Sequence, residues 1–301
     1  MNGVVAHRFY SVEEAASAAA VLPGKGASAR NLGEHNEFFT GRSRGGGSHA
    51  KWWGLPNGEH KDFAQLREFW STGWPEGVAQ LREKMGRVTI PNVTSVRRRP
   101  RWADAGDELN RERLYAGDLD RAWRTTSRTV VSAPRVIRVI VDIAANAGTT
   151  AEALFWRGAA GAALTEALTA AGYSVELLAG IFVRGVFKDG RDYISATTIK
   201  AASAPLNMGA VAATCCSASF FRSTFFMLAE NAGRGDTWSG HGQVREGLSS
   251  DVGAKYLAEI GIAKTATTRT FVVTADALTP EGATQWVADV VAALEKETQF
   301  A

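Results

Sequence analysis

The side chains able to do chemistry are few and poorly grouped. Of the five histidines, His7, His35, His49, His60 and His241, none stands in a His-x-x-x-His or His-Glu-x-x-His spacing. Such a spacing would set two imidazoles on one helix face around zinc. Gly33–Phe38 (GEHNEF) and Gly58–Phe63 (GEHKDF) echo each other, each with a histidine two residues before a carboxylate. Nothing around the two copies repeats, so the echo reads as loop chemistry and not as a two-histidine, two-carboxylate metal site. The two cysteines are adjacent, Cys215 and Cys216, which excludes a disulfide framework and a cysteine-based zinc ribbon. On a helix they point about 100° apart and read as small buried hydrophobes. Arg234-Gly-Asp236 and the sequon Asn92-Val-Thr94 are short matches that carry no weight by themselves. No Ser-His-Asp order, Walker loop or Gly-x-Gly-x-x-Gly stands between a strand and a helix, and no reaction class is legible.

Two constellations remain. Arg97, Arg98, Arg99 and Arg101 surround Pro100 and precede Trp102. The arginines could release counterions from a phosphate backbone while the indole stacks on a base. Asp104, Asp107, Glu108 and Glu112 follow closely, however, and favour a solvated, internally paired connector. The glycine-rich GRSRGGG at residues 41–47 reads as a flexible loop. The other constellation is Asp142, which closes the β-branched run Val136–Val141, with Asn146 four residues on. A carboxylate at the carboxyl end of a buried strand is where an open α/β sheet binds its ligands.

The elements that must position Asp142 follow a regular order. Val136–Val141 reads as a strand buried on both faces. Thr149-Thr-Ala-Glu152 reads as a capping box opening a helix with Leu154, Leu164 and Leu168 on its apolar side, and Gly172 as its C′ residue. Residues 173–183 give a second strand, completing a strand–helix–strand unit. The Asp189-Gly190 turn returns a third, antiparallel strand over Tyr193–Lys200, placed at a sheet edge. Pro205 ends it. A long apolar helix is expected from about Met208 to Leu228, a strand over Arg269–Thr274, and a terminal helix. Thr279 is that helix's N-cap and Pro280 its first residue; Trp286, Val287, Val290, Val291 and Leu294 face inward.

This order resembles the von Willebrand factor A domain over roughly residues 134–301. That family ends its first strand in Asp-x-Ser-x-Ser and later carries a Gly-Gly-Thr-Asn-Thr-Gly-type loop. Here the first motif stands as Asp142-Ile-Ala-Ala-Asn146, and the loop as Ala204-Pro-Leu-Asn-Met-Gly-Ala210, in which Asn207, Gly209 and Ala210 match. The resemblance implies a Rossmann-like open α/β sheet with an antiparallel edge strand. It also implies a divalent-cation site completed by a partner's acidic residue. Magnesium is the implied ion, with Asp142, Asn146 and Asp276 its remaining candidate ligands. Ala144 and Leu206 stand where hydroxyls should be and offer no oxygen, so the metal site reads as degenerate and no cofactor is expected. The expectation is instead that Asp142 and Asn146 bond the loop amides around Asn207. Asp142, Asn146, Leu206, Asn207 and Asp276 would then ring a cleft edge that binds protein. The resemblance implies an AAA+ ATPase of the chelatase type as partner class, and the combination also resembles bacteriophage structural or assembly proteins.

Composition agrees with a globular protein. The chain has 301 residues, 45% hydrophobic and 22% charged, with a formal net charge of +3. No apolar run reaches the roughly 20 residues of a membrane span, so a cytoplasmic or virion-associated protein is expected. Residues 1–134 carry 20 Lys+Arg against 15 Asp+Glu and six of nine tryptophans, whereas 135–301 is slightly acidic. Two regions are expected. Residues 1–130 form a basic, Trp-rich, mostly helical region, with a capped helix after Ser11, a second helix opened by Pro75 and a connector from Pro91 to Thr129. Residues 131–301 form the α/β domain. The function expected is non-catalytic protein–protein interaction or assembly; nucleic-acid binding through Arg97–Trp102 is the alternative.

Overall fold

The computed structural model describes residues 3–20, 63–86, 98–128 except 107, 136–228 except 147, 186, 188 and 226, 248–262 except 249, and 268–300. The protein is mixed α/β, built on a five-stranded, mostly parallel sheet with helices packed on it. Strand β5, Val136–Asp142, runs at its heart, parallel to β6 (Ser174–Val183) on one side and β8 (Thr268–Val273) on the other. Strand β7, Asp192–Lys200, returns antiparallel to β6. Strand β1, Val4–Phe9, pairs in parallel with β7, so the order is β1-β7-β6-β5-β8.

That first strand corrects the sequence reading. β7 is not an edge strand, because β1 covers its outer side in register from Val4↔Asp192 to Phe9↔Thr197. His7 and Arg8 blunt the strand signal in a six-residue run, and its partner lies nearly 190 positions away. A hydrophobic-pattern reading has no purchase on such a pairing.

The β5 run buries both faces, as expected. Ile137, Val139 and Val141 join the larger core, while Ile140 joins a smaller one with Leu178, Phe182, Ile194 and Leu248. The helix that follows is Ala151–Ala170. Thr150, not Thr149, caps it, accepting from Ala153 N at 3.1 Å, which moves Glu152 out of the capping-box position. It ends as predicted: Gly172 sits at φ 88°, its amide bonds Thr169 O, and Tyr173 N bonds Leu168 O. Most of this helix is buried on every side, beyond the single leucine stripe expected. Small residues permit it: a Cβ on Gly158 would lie 2.1 Å from Cys215 O, and one on Gly161 would lie 2.4 Å from Val141 Cγ2.

The long apolar helix is broken. A helical turn over Met208–Val211 passes into a π-helical turn, Ala212–Cys216, and Ser217 is extended at φ −91°, ψ 130°. A second short turn and another π segment, Phe221–Phe225, follow. The buried Ser217, Ser219 and Thr224 explain the break: their hydroxyls compete with the backbone for hydrogen bonds. Ser217 and Ser219 lie Oγ to Oγ at 2.7 Å, and Trp70 Nε1 donates to Ser219 Oγ at 3.1 Å. Cys215 and Cys216 are free and buried, as expected, and burial pushes the Cys215 thiol up to about 12.

Part of the N-terminal region belongs to this same unit, so the division at residue 130 does not hold. Helices Val12–Ala20, Phe63–Thr72 and Pro75–Met85 contribute Ala15, Ala19, Leu66, Trp70 and Leu81 to the larger core, and the turn before Pro75 adds Trp74. Trp70 and Trp74 are therefore core residues. The Ser11 cap forms, with Ser11 Oγ accepting from Glu14 N and Glu14 reaching back to Tyr10 N. Residues 92–135 make a second compact unit where a connector was expected. Within it, β4 (Trp123–Arg128) pairs antiparallel with β2 (Arg98–Ala103) and with the short β3 (Glu108–Leu109). The high charge of this stretch hid its strands. The predicted GRSRGGG loop, the GEH echoes, Arg97, Asn92-Val-Thr94 and Arg234-Gly-Asp236 lie outside the described residues. Of residues 232–267, the described part holds the helix Asp251–Glu259.

Candidate functional site

The carboxyl ends of β5 and β8 flank the point where the chain, after building β6 and β7 on one side of β5, crosses to the other side. Ligands of open α/β sheets favour such a point. Asp142 stands there, 3% exposed. Its Oδ1 accepts from Ala144 N and its Oδ2 from Leu248 N, each at 3.1 Å. The expected partners, the amides around Asn207, are not the ones that fill it. The Leu248 amide comes from a segment about a hundred residues away, so the carboxylate ties its own loop to a remote stretch of chain.

Arg157 completes this arrangement. It projects from the Ala151–Ala170 helix, is buried, and donates from Nη2 to Ala144 O at 2.7 Å; its Nε has no acceptor. Burial pushes the Asp142 carboxyl up, against the opposing pull of the Arg157 guanidinium and the two amides. Burial likewise lowers Arg157, and the Asp142 charge opposes it. A guanidinium's intrinsic pKa is so high that Arg157 keeps its charge regardless. A second buried arginine, Arg222, grips the same loop further on, donating from Nη2 to Thr149 O at 2.6 Å. The loop from β5 to its helix is thus held by two cations and its own aspartate.

The other expected rim residues fall differently. Asn146 is exposed, and its carbonyl accepts from Thr149 N. Asn207 is exposed and serves as an N-cap, its Oδ1 accepting from Ala210 N at 3.1 Å. Its loop packs on the turn between the Phe63 and Pro75 helices: Trp74 N donates to Gly209 O at 3.0 Å. A Cβ on Gly73 would lie 2.6 Å from the Gly209 carbonyl carbon. Leu206 is half-buried against the larger core. Asp276 is exposed in a short turn after β8 and accepts from Thr274 Oγ1 at 3.1 Å. Asp142 and Asn146 share a loop, while Asn207 and Asp276 are each engaged within their own turns. No group of three or more His, Cys, Asp or Glu among the described residues is placed to hold a metal ion.

Sequence reasoning missed Arg157 and Arg222. The signal was present: each is a lone cation inside an apolar run, Phe155-Trp156-Arg157-Gly158 and Phe220-Phe221-Arg222. A charge buried in such a run requires partners, and here they are loop carbonyls and a carboxylate.

In the second unit, Arg98, Arg99 and Arg101 lie on β2, an edge strand of its sheet among the described residues. Trp102 is 39% exposed, and the Arg113 guanidinium lies 4.4 Å from its ring centroid. Arg113 also donates to Asp118 Oδ2 at 3.3 Å, and Arg124 approaches Glu108 at 3.7 Å, the internal pairing expected of this stretch. Tyr115 is 84% and Leu119 61% exposed.

A family model described as "Domain of unknown function (DUF7192)" matches residues 4–297. The chain belongs to that family. The match runs from the first residue of β1 into the terminal helix, so it takes in the whole of residues 92–135 and nearly all of the other unit. Comparison with curated proteins and with solved structures finds no match. No helix among the described residues is long and apolar enough to cross a membrane.

Proposed function

We propose that this DUF7192 protein is a non-catalytic subunit that binds another protein in an assembly. The observation that carries the reading is the sealing of Asp142. The carboxylate at the carboxyl end of β5 is buried, and both its oxygens are engaged by backbone amides. A catalytic or metal-binding carboxylate must present an oxygen to its ligand. The order of β7, β6, β5 and β8 supports the von Willebrand A-like reading with a degenerate metal site, and Ala144 and Leu206 add no oxygen to it. The exposed Asn146, Asn207 and Asp276 remain for contact with a partner at this edge. An AAA+ ATPase or a viral assembly component is the partner class in keeping with that reading.

Tagged full-length protein, purified from its native source, should retain the same co-eluting protein in magnesium-containing buffer and in chelator. Retention that requires magnesium would contradict the sealed-site reading. The rival, nucleic-acid binding through Arg98, Arg99, Arg101 and Trp102, draws on the exposure of Trp102. It predicts affinity falling steeply with salt, and its slope should shrink when those arginines are removed.

A further inference from the structure

One face of the five-stranded sheet carries a charged cluster away from the Asp142 loop. Arg138 on β5 and Glu176 on β6 are cross-strand partners, each two residues before a member of the smaller core, Ile140 and Leu178. Thr198 on β7 pairs with Leu178, and Arg8 on β1 pairs with Ala196 of the same core. Side chains two apart on a strand share a face, so all four lie on the face of the smaller core. Strand β7, with Thr198, stands between the strands of Arg8 and Glu176. The Arg8 side chain spans it: Nη2 donates to Glu176 Oε1 at 3.1 Å, while Arg138 Nε donates to Oε2 at 2.6 Å. Two guanidinium groups thus share one carboxylate, and one positive charge is left over. Burial draws the Arg8 pKa down; the Glu176 charge opposes the fall and the Arg138 charge adds to it.

Arg8 Nη1 and Thr198 Oγ1 are shielded from solvent and have no hydrogen-bond partner among the described residues. A guanidinium carries donors only, and a buried donor without an acceptor is rare in proteins. The cluster is nonetheless open where Asp142 is sealed. The side chains of Arg8 and Arg138 are each 15% exposed, and the Tyr10 ring, 5.5 Å from the Arg8 guanidinium, is 74% exposed. We infer that Arg8, Arg138 and Thr198 bind a small oxyanion, a phosphate or carboxylate group. Such an anion meets the surplus charge, accepts from Arg8 Nη1 and accepts from the Thr198 hydroxyl, and charge-assisted bonds of this kind are the strong ones. A cation would find only Glu176, both of whose oxygens are already engaged. A structural ion pair would account for one arginine, but not for the second or for the unused donor. Arg138 and Glu176 lie near the amino ends of β5 and β6, and Asp142 closes β5 at the other end, so this site does not depend on protein binding at the Asp142 edge.

The test is isothermal titration calorimetry on the full-length protein with inorganic phosphate and, separately, acetate, at constant ionic strength in chloride. One saturable site should appear, and the tighter of the two anions names the group it takes. Arg8→Gln should weaken binding about tenfold or more, as loss of a charge-assisted hydrogen bond does. Thr198→Val keeps the side-chain shape and removes the hydroxyl. It should weaken binding severalfold without lowering the melting temperature, and it serves even where Arg8→Gln fails to fold. Arg82→Gln removes the same charge from an exposed helix position and should bind as wild type. Absence of saturable binding by both anions, wild-type binding in Thr198→Val, or an equal loss in Arg82→Gln and Arg8→Gln would overturn the inference.

Discussion

The two compact units dispose of their charges in opposite ways. In the five-stranded unit, Asp142, Arg157 and Arg222 are buried at the end of the sheet where a ligand would otherwise sit, and they bind the protein's own loops. In the unit of residues 92–135, Arg111, Glu112, Asp120, Arg121 and Arg124 are exposed, and so are Trp102, Tyr115 and Leu119. Buried charge that is satisfied by backbone fixes a chain conformation, whereas exposed charge beside an apolar ring is available to a second molecule. The difference assigns structure to the first set and leaves the second in contact with solvent.

The contrast is broken most forcefully at Asp142. Asp142→Ala leaves two buried amides unmatched and Arg157 without its counter-charge, and should cost roughly 3–5 kcal/mol in chemical denaturation. Near-neutral stability of that variant would place the carboxylate outside the loop lock. Gly158→Val comes next. Its side chain must displace the Cys215 carbonyl, so a loss of about 1–3 kcal/mol or more is expected, with the core loosened around the broken helix.

Asp142 also gives the contrast a pH signature. Its native carboxyl is raised, so the native state holds that proton more tightly than the unfolded chain does. Its contribution to stability is complete below the ordinary aspartate value of 3.8 and declines as pH climbs towards the raised native value. Asp142→Asn should abolish that decline in a pH series of unfolding curves, whereas Asp276→Asn should leave it intact.

A smaller effect sharpens the comparison from within the core. With its thiol pushed up to about 12 by burial, Cys215 should stay inert to a thiol reagent in the native protein, and Cys216, whose thiol burial also raises well above the ordinary value, should do likewise. Both should react once the protein is denatured; rapid native labelling would mean the helix break opens. The smallest effect belongs to the outer unit, where Tyr115→Ala should alter stability by no more than about 0.5 kcal/mol. A larger loss would make Tyr115 a packing residue.

Much of the frame was legible from residue patterns. The β-branched run ending at Asp142, the Gly172 terminus and the Thr279-Pro280 start of the last helix all form where local chemistry places them. Local signals failed where partners are remote. β1 exists because β7 accepts it, and Asp142 is sealed by Leu248; neither fact leaves a trace at short range. The unbroken helix expected after Met208 failed for another reason. Apolar character predicted burial correctly, but Ser217, Ser219 and Trp70 settle their hydrogen bonds among themselves and interrupt the helix. At the site, the place of Asp142 at the carboxyl end of β5 was legible, while its partners were not.

The account stands or falls on whether Asp142 is locked. Amide hydrogen exchange of Ala144 and Leu248, followed by NMR in wild type and in Asp142→Asn, measures the lock where it is made. Slow exchange at both amides in the wild type, accelerated together in the variant, is the result the account predicts. Fast exchange at Leu248 in the wild type, with Asp142→Asn unchanged, would contradict it.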